Sequence, residues 1–555
     1  LGGSQLAPAA RARALLRARA GPRLPAPQAA TLAARTEGWA AALALAARAV
    51  AECDGPSHAV AFTGAERLLS AYVREQLLAE LPATARELLL RTAALGTLSG
   101  ELCDAVLARH RSGLVLRELA HGNVPLAPLD RAERRFRLHP LVAEALRAEL
   151  HRRDPGWETE AHRRAGAWHA RRGEPARAID HAVLAADPAR AGALLWTELP
   201  AWALGHAGAR VDGWLRALGE PAVSATPALA LAAALRRLAR GRADEAARLA
   251  DAAERALGGA PVRSDADAGV ALVRAALVHE SVARMRADAA TARADGPGHD
   301  AWRALACLLG GVAAHLQGED RTARRELEDG VWQARATPLL AALCRAQLVL
   351  LALDGGQPER AALIAGQAVA CARAGRVERA PLCALLHAAA AVAHARTGAL
   401  PQARERLDAS HRVLPRATEL PAWHEAQLRV ARARALLRLS DAAGARAELA
   451  RASRAARRLP DAARLHAWSD DAWAAADAFA ASAVAGPARL TLAELRVLRL
   501  LPSHFSLREI AGRLHVSANT VRTQAHAVYR KLDVSSRSEA VARAREIGLV
   551  DAAYR

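Results

Sequence analysis

A chain of 555 residues is too long for one ordinary domain and suggests roughly three or four units. Apolar residues make up 52% of it but aromatic ones only 3%, so its cores must be built from Ala, Leu and Val, and with Ala, Leu and Arg among the strongest helix formers an all-α protein is expected. The formal charge of +20 and the pI of about 11.1 admit nucleic acid or anionic lipid as partners, but nearly all of that charge is arginine, so the coding bias of a GC-rich genome accounts for much of it.

In chain order, residues 34–50, "ARTEGWAAALALAARAV", read as an amphipathic helix entered through Gly38 and Trp39. Beyond Phe62 the sequence breaks into short helices punctuated at Pro82 and Gly96. Residues 122–150, "GNVPLAPLDRAERRFRLHPLVAEALRAEL", give a turn, a short extended pair and a helix. Helices followed by a small hairpin form a winged-helix-like pattern, which we assign to residues 61–152.

From Gly173 onward one motif recurs: Gly, a polar turn-prone segment, and Ala five residues after the Gly. It appears at Gly173, Gly241, Gly318, Gly356 and Gly398, with "SDAAGA" at Ser440 as a degraded copy. Reading back from Ser440, the last three spacings are 42, 42 and 38 residues. The glycine ends one helix in the left-handed conformation, Pro or Asp starts the next, and the small Ala lets the two helices approach. Such hairpins cannot bury their faces alone, so they stack. The pattern resembles tetratricopeptide-like (TPR-like) repeats, and an α-solenoid over residues 153–480 is expected. Its concave face is expected to take an effector or a protein partner; a mere spacer is the plainer alternative.

Residues 481–489, "ASAVAGPAR", read as a linker. Residues 490–555 then read as four helices. Thr491 and Glu494 make a capping box for the first, and Pro502 ends it. Ser506 caps the second, "HVS" is a tight turn, Ser517 caps the longer third, and a fourth begins near Ser536. Short helix, turn, longer helix is the helix-turn-helix. In the third helix Val521, Ala525, Val528 and Leu532 fall within about 60° of arc and face the core. The opposite arc carries Asn519, Arg522, Thr523, His526 and Arg530, a basic, donor-rich face suited to a DNA major groove.

The stretch "LTLAELRVLRLL…SLREIAGRLHVSANTVRTQAHAVYRKLDVSSRSEAV" resembles the LuxR-type helix-turn-helix domain, whose pattern runs LT-x-x-E…EIA-x-x-L-x-[VI]-S-x-x-TV-[KR]…KL…SR-x-EA. Upstream, "ARTEGWAA", "NVPLAPLD" and "RLHPLVAEALRAEL" resemble the large, ATP-dependent MalT-like branch of that family. The resemblance implies a regulator that binds promoter double-stranded DNA as a homodimer in the cytoplasm, with RNA polymerase as a further partner. It implies base contacts by Arg522, Thr523 and His526, and backbone contacts by Ser517, Asn519, Thr520, Gln524, Arg530 and Lys531. Two positions depart from the family pattern, which has His where this chain has Gln524 and Gly where it has His504.

The branch carries an ATPase core, yet no G-x-x-x-x-G-K-[ST] loop is present and the only lysine is Lys531. No nucleotide site or other cofactor is therefore expected here, ATP being implied only for full-length relatives. Residues 1–60 would be the helical region that follows a truncated or lost core, since the chain starts at Leu1 without Met. The six cysteines form no C-x-x-C pair, and His162 and His169 lie about 10 Å apart along a helix, so neither a disulfide scaffold nor a metal site is expected. No signal peptide is visible, and the longest apolar run, around Leu339–Leu353, is interrupted by Arg345 and Gln347, which argues against a membrane span. Without H-E-x-x-H, G-x-S-x-G or a dinucleotide loop, no enzyme is expected. The leading reading is a sequence-specific DNA-binding transcriptional regulator whose repeats sense an effector or partner. The alternatives are a helical-repeat scaffold with an incidental basic C-terminus, and a signal-transduction ATPase.

Overall fold

The computed structural model describes residues 9–20, 24–52, 62–64, 66–205, 207–258, 265–278, 280–295, 300–414, 419–484, 490–503, 505–514, 516–546 and 549–550. Cys53, His504, His515 and residues 485–489 of the expected linker lie outside the described residues. The fold is all-α apart from one small sheet, and it divides into two compact units, Leu1–Leu195 and Trp196–Arg555.

The first unit opens with α1 (Ala9–Ala20), α2 (Ala26–Arg35) and α3 (Ala40–Glu52). The helix expected from residue 34 starts later, at Ala40, because Glu37 and Gly38 take positive φ (43° and 78°) and turn the chain. Then come α4 (Arg67–Tyr72), α5 (Ala83–Thr92), β1 (Thr97–Ser99), α6 (Gly100–Leu107), α7 (Ser112–His121), β2 (Leu126–Pro128), β3 (Arg135–Leu138) and α8 (Pro140–Arg153). The strands form an antiparallel sheet in the order β1-β3-β2, with Leu98 opposite Phe136 and Leu126 opposite Leu138. Alternation along β3 sends Phe136 and Leu138 into the core, which is what fixes the register. The expected extended pair thus gains a third strand.

Three further helices complete this unit: α9 (Trp157–Arg171), α10 (Pro175–Leu184) and α11 (Pro188–Trp196), whose last residue begins the second unit. His162 Nδ1 and His181 Nδ1 meet at 3.0 Å between α9 and α10, and the His169 ring stacks on that of His181.

The second unit continues with α12 (Leu199–Leu204), α13 (Gly208–Leu218) and α14 (Glu220–Ala225). Antiparallel hairpins follow: α15 (Pro227–Ala239) with α16 (Ala243–Leu257), α17 (Asp265–Leu277) with α18 (Val282–Asp295), and α19 (Asp300–Leu316) with α20 (Asp320–Gln333). Next are α21 (Pro338–Asp354) with α22 (Pro358–Ala374), α23 (Cys383–Arg396) with α24 (Leu400–Val413), and α25 (Ala422–Arg438) with α26 (Ala442–Ala456), closed by α27 (Ala463–Val484).

The recurring motif sits at the hairpin turns. Gly173, Gly241, Gly318, Gly356 and Gly398 all take positive φ, between 68° and 86°, and Ser440 takes the same conformation at 62°. In each turn the next residue donates its N–H to a carbonyl five residues back, as Gln357 N does to Ala352 O at 2.9 Å. The alanines five positions after each turn residue, Ala178, Ala246, Ala323, Ala361, Ala403 and Ala445, are all fully buried. A larger side chain there would hold the paired helices apart.

The array also folds back on itself. Glu419 N donates to Gly241 O (2.7 Å), Trp423 Nε1 to Ala276 O (2.8 Å), and Val282 N and Ala283 N to the Asp461 carboxylate. Trp468 Nε1 on α27 reaches the Asp354 carboxylate at 3.0 Å, which His315 Nε2 also meets at 3.1 Å. Among the described residues no helix is long and apolar enough to cross a membrane, and no group of three potential ligands could hold a metal ion. The five described cysteines are free thiols, four of them buried.

Candidate nucleic-acid interface

The C-terminal four helices are α28 (Leu492–Leu500), α29 (Leu507–Leu514), α30 (Ala518–Leu532) and α31 (Arg537–Glu546). Every start has a polar cap. Thr491 and Glu494 form the reciprocal capping box on α28, with Thr491 N to Glu494 Oε2 at 2.6 Å and Glu494 N to Thr491 Oγ1 at 3.3 Å. Ser506 and Glu509 repeat it on α29. Ser517 Oγ accepts from Thr520 N at 3.0 Å, and Ser536 Oγ from Glu539 N at 3.2 Å. The capping serines are thus assigned to backbone donors that would otherwise be orphaned. Between α29 and α30, Val516 N donates to Ala511 O (3.1 Å), which folds the chain sharply.

Val521, Ala525, Val528 and Leu532 are buried against Ile510, Ala511, Leu495 and Leu498. That stripe leaves the other arc of α30 in solvent: Ser517, Asn519, Thr520, Arg522, Thr523, His526 and Arg530 are exposed, and Gln524 is half-buried. Arg522 and Arg530 have no ion-pair partner among the described residues. The Thr523 hydroxyl donates to Asn519 O at 2.9 Å, so toward a ligand it offers its lone pairs and methyl group. Ser517 and Thr520 hydroxyls are hydrogen-bonded to each other at 2.7 Å. The His526 ring stands edge-on to Tyr529.

Lys531 lies elsewhere. Its ammonium is half-buried and donates to Glu494 Oε2 at 2.6 Å, which ties the start of α28 to the end of α30. Burial alone would raise the Glu494 carboxyl; the Lys531 ammonium and the Thr491 amide and hydroxyl outweigh it and hold the group below the usual carboxylate range.

Two arginines escape sequence reasoning. Arg537, the first residue of α31, gives its guanidinium to three carbonyls of the loop between α28 and α29: Leu501 O (2.8 Å), Ser503 O (2.5 Å) and Phe505 O (2.6 Å). The signal was a cation at a helix N-terminus, where the dipole disfavours it unless its charge is used elsewhere. Arg496 docks α28 on the last hairpin of the repeats, with Nε to Ser440 O at 2.7 Å and Nη2 to Asp441 Oδ1 at 2.5 Å. Beside it the Arg499 guanidinium covers the Phe479 ring at 4.1 Å, and Leu437, Ala442 and Phe479 join the helix-turn-helix core. These contacts fall on α28 and not on α30.

A capped, short-then-long helix pair with a solvated basic face defines the class of helix-turn-helix DNA-binding regulators. Residues 488–544 match the family model described as bacterial regulatory proteins, luxR family, and residues 74–158 match that of the MalT winged helix domain. The chain is a MalT-like transcriptional regulator of the luxR family. It is 34% identical over 181 residues to the serine/threonine-protein kinase PknK of Mycobacterium tuberculosis, covering 32% of this chain and 16% of that protein. It is 31% identical over 234 residues to the HTH-type transcriptional regulator MalT of Serratia proteamaculans, covering 40% of this chain and 25% of that protein. The chain therefore matches a quarter or less of the length of each. Among solved structures it is similar to a signal transduction ATPase with a tetratricopeptide repeat sensor from Pyrococcus horikoshii. The TM-score is 0.46 at 12% identity, over 95% of this chain and 73% of that one.

Proposed function

We propose that the chain is a cytoplasmic regulator that binds promoter DNA sequence-specifically as a homodimer and adjusts that binding to an effector or partner held by its repeats. In this reading residues 153–480 are the sensor and 490–555 the DNA-binding domain. The observation that carries it is the exposed arc of α30, where Arg522 and Arg530 stand unpaired beside Asn519, Thr523, Gln524 and His526. Arg522, Thr523 and His526 would meet base edges; Ser517, Asn519, Thr520, Gln524 and Arg530 would meet the backbone. Lys531 would join them only in competition with Glu494. Direct contact between α28 and the Ser440 turn supports a route from the repeats to the DNA-binding domain.

Selection from random duplex DNA with the full chain tests the proposal. A motif with two half-sites about one helical turn apart is expected. Arg522→Ala is expected to lose on the order of 1–3 kcal/mol of discrimination at one position of each half-site. Recovery of no preferred motif by the unaltered chain would sink the proposal.

A further inference from the structure

Where α18 and α20 pass over α19, they leave a cavity of about 250 Å3. Three guanidiniums line it, Arg286 and Arg293 from α18 and Arg325 from α20, against a single lining carboxylate, Glu326. Arg286 is clamped outward by Glu319, with Nη2 to Oε2 at 2.6 Å, and by Gln317 at 3.1 Å. Arg293 Nη1 donates to Glu326 Oε1 at 3.1 Å. The other Glu326 oxygen lies against Gly310, where an added Cβ would collide with it, so the glycine makes room for the carboxylate.

Two carboxylates, Glu319 and Glu326, thus serve three arginines. Arg325 has no carboxylate partner among the described residues and brings five N–H donors to the cavity wall. A ladder of ion pairs joining the two outer helices needs only Arg286 and Arg293; it leaves the third cation unexplained. A guanidinium is the side chain best fitted to grip a carboxylate or phosphate through paired N–H bonds. The cavity is just below the size range of drug-sized ligand sites, so it suits a small anion and is too small for a nucleotide.

Resting on the sensing role given to the repeats, we propose that this cavity binds a small oxyanion, a phosphate or a small carboxylate, held between Arg293 and Arg325. The test is thermal unfolding of the full chain titrated with inorganic phosphate and, separately, with malonate, each against sodium chloride at equal ionic strength. At least one anion is expected to raise the melting midpoint saturably. Arg325→Ala should raise its half-saturating concentration about tenfold while leaving the anion-free midpoint within about 1 °C, because the residue is exposed and unpaired. Glu326→Gln, which removes the competing charge at nearly constant shape, should lower that concentration several-fold, the opposite of what a purely structural carboxylate would do. A response to phosphate alone or malonate alone assigns the oxyanion's source. The proposal is overturned if neither anion shifts the midpoint, or if Arg325→Ala responds as the unaltered chain does. Failure of DNA recognition would appear in the selection experiment and leave this melt unchanged, so the two readings fall separately.

Discussion

At the scale of single residues, the cations around α30 are not equivalent, and the difference is one of partners. Arg530 is exposed and unpaired, whereas Lys531 shares its ammonium with Glu494. Each protein cation that neutralises a phosphate releases counterions and steepens the fall of affinity with salt. Arg530→Ala is therefore expected to reduce the slope of log affinity against log salt by about 1. Lys531→Gln should reduce it by less, because its charge is already largely balanced within the protein. Equal losses from the two variants, in fluorescence anisotropy across a salt series, would show that the Glu494 pair opens fully on DNA. The sequence marks Lys531 as the one lysine in a polar stretch, but it cannot show that residue 494, 37 positions away, holds it. Arg537 and Arg496 are hidden for the same reason: their partners are chiefly backbone carbonyls, which carry no sequence signature.

At the scale of elements, the turns of the repeats were legible because their chemistry is local. A left-handed residue ending a helix is restricted by its own Cβ, so glycine recurs there and can be counted along the chain. The buried alanines five positions on were legible for an equally local reason, the closeness of two helices joined by a tight turn. Strand β1 was not. Three residues, Thr97–Ser99, are too few to display alternation, and their pairing with β3 is decided 36 or more positions downstream. The turn chemistry gives a paired prediction. Gly356 has φ of 68°, and a methyl group added there would have no atom within 4 Å, so Gly356→Ala meets backbone strain alone and should destabilise the second unit by about 1 kcal/mol. Ser440 already bears that strain at φ 62°, so Ser440→Gly should change stability in the opposite direction by a similar or smaller amount. Urea denaturation of both variants reads the two signs, and a loss of stability in Ser440→Gly would mean that its side chain matters more than its backbone.

At the scale of the whole molecule, neither the return of α27 onto α21 nor the docking of α28 on the Ser440 turn follows from repeat periodicity, which describes neighbouring hairpins and not contacts between distant parts of the chain. The buried histidines that such packing creates have a joint consequence for pH. Burial lowers the His181 imidazole to about 4; His162, His169 and Arg177 beside it add to the effect, and Asp180 opposes it. Burial likewise lowers His424 to about 4, with only the Leu382 carbonyl favouring its protonation. His139, His162, His387 and His394 are lowered too, burial being the main cause in each. Because the unfolded chain binds these protons near the ordinary value of about 6.5 and the folded chain resists them, the stability they confer is fully present above that pH. It is lost progressively as pH falls toward 4, at full effect on the order of 3 kcal/mol for each of His181 and His424. Asp288 and Glu419, raised chiefly by burial, act in the opposite sense only at the lower end of this window. The melting midpoint should therefore drop between pH 7 and pH 5, and His424→Gln should make that drop shallower; a midpoint that stays level or rises on acidification would contradict the neutral, buried state of these imidazoles.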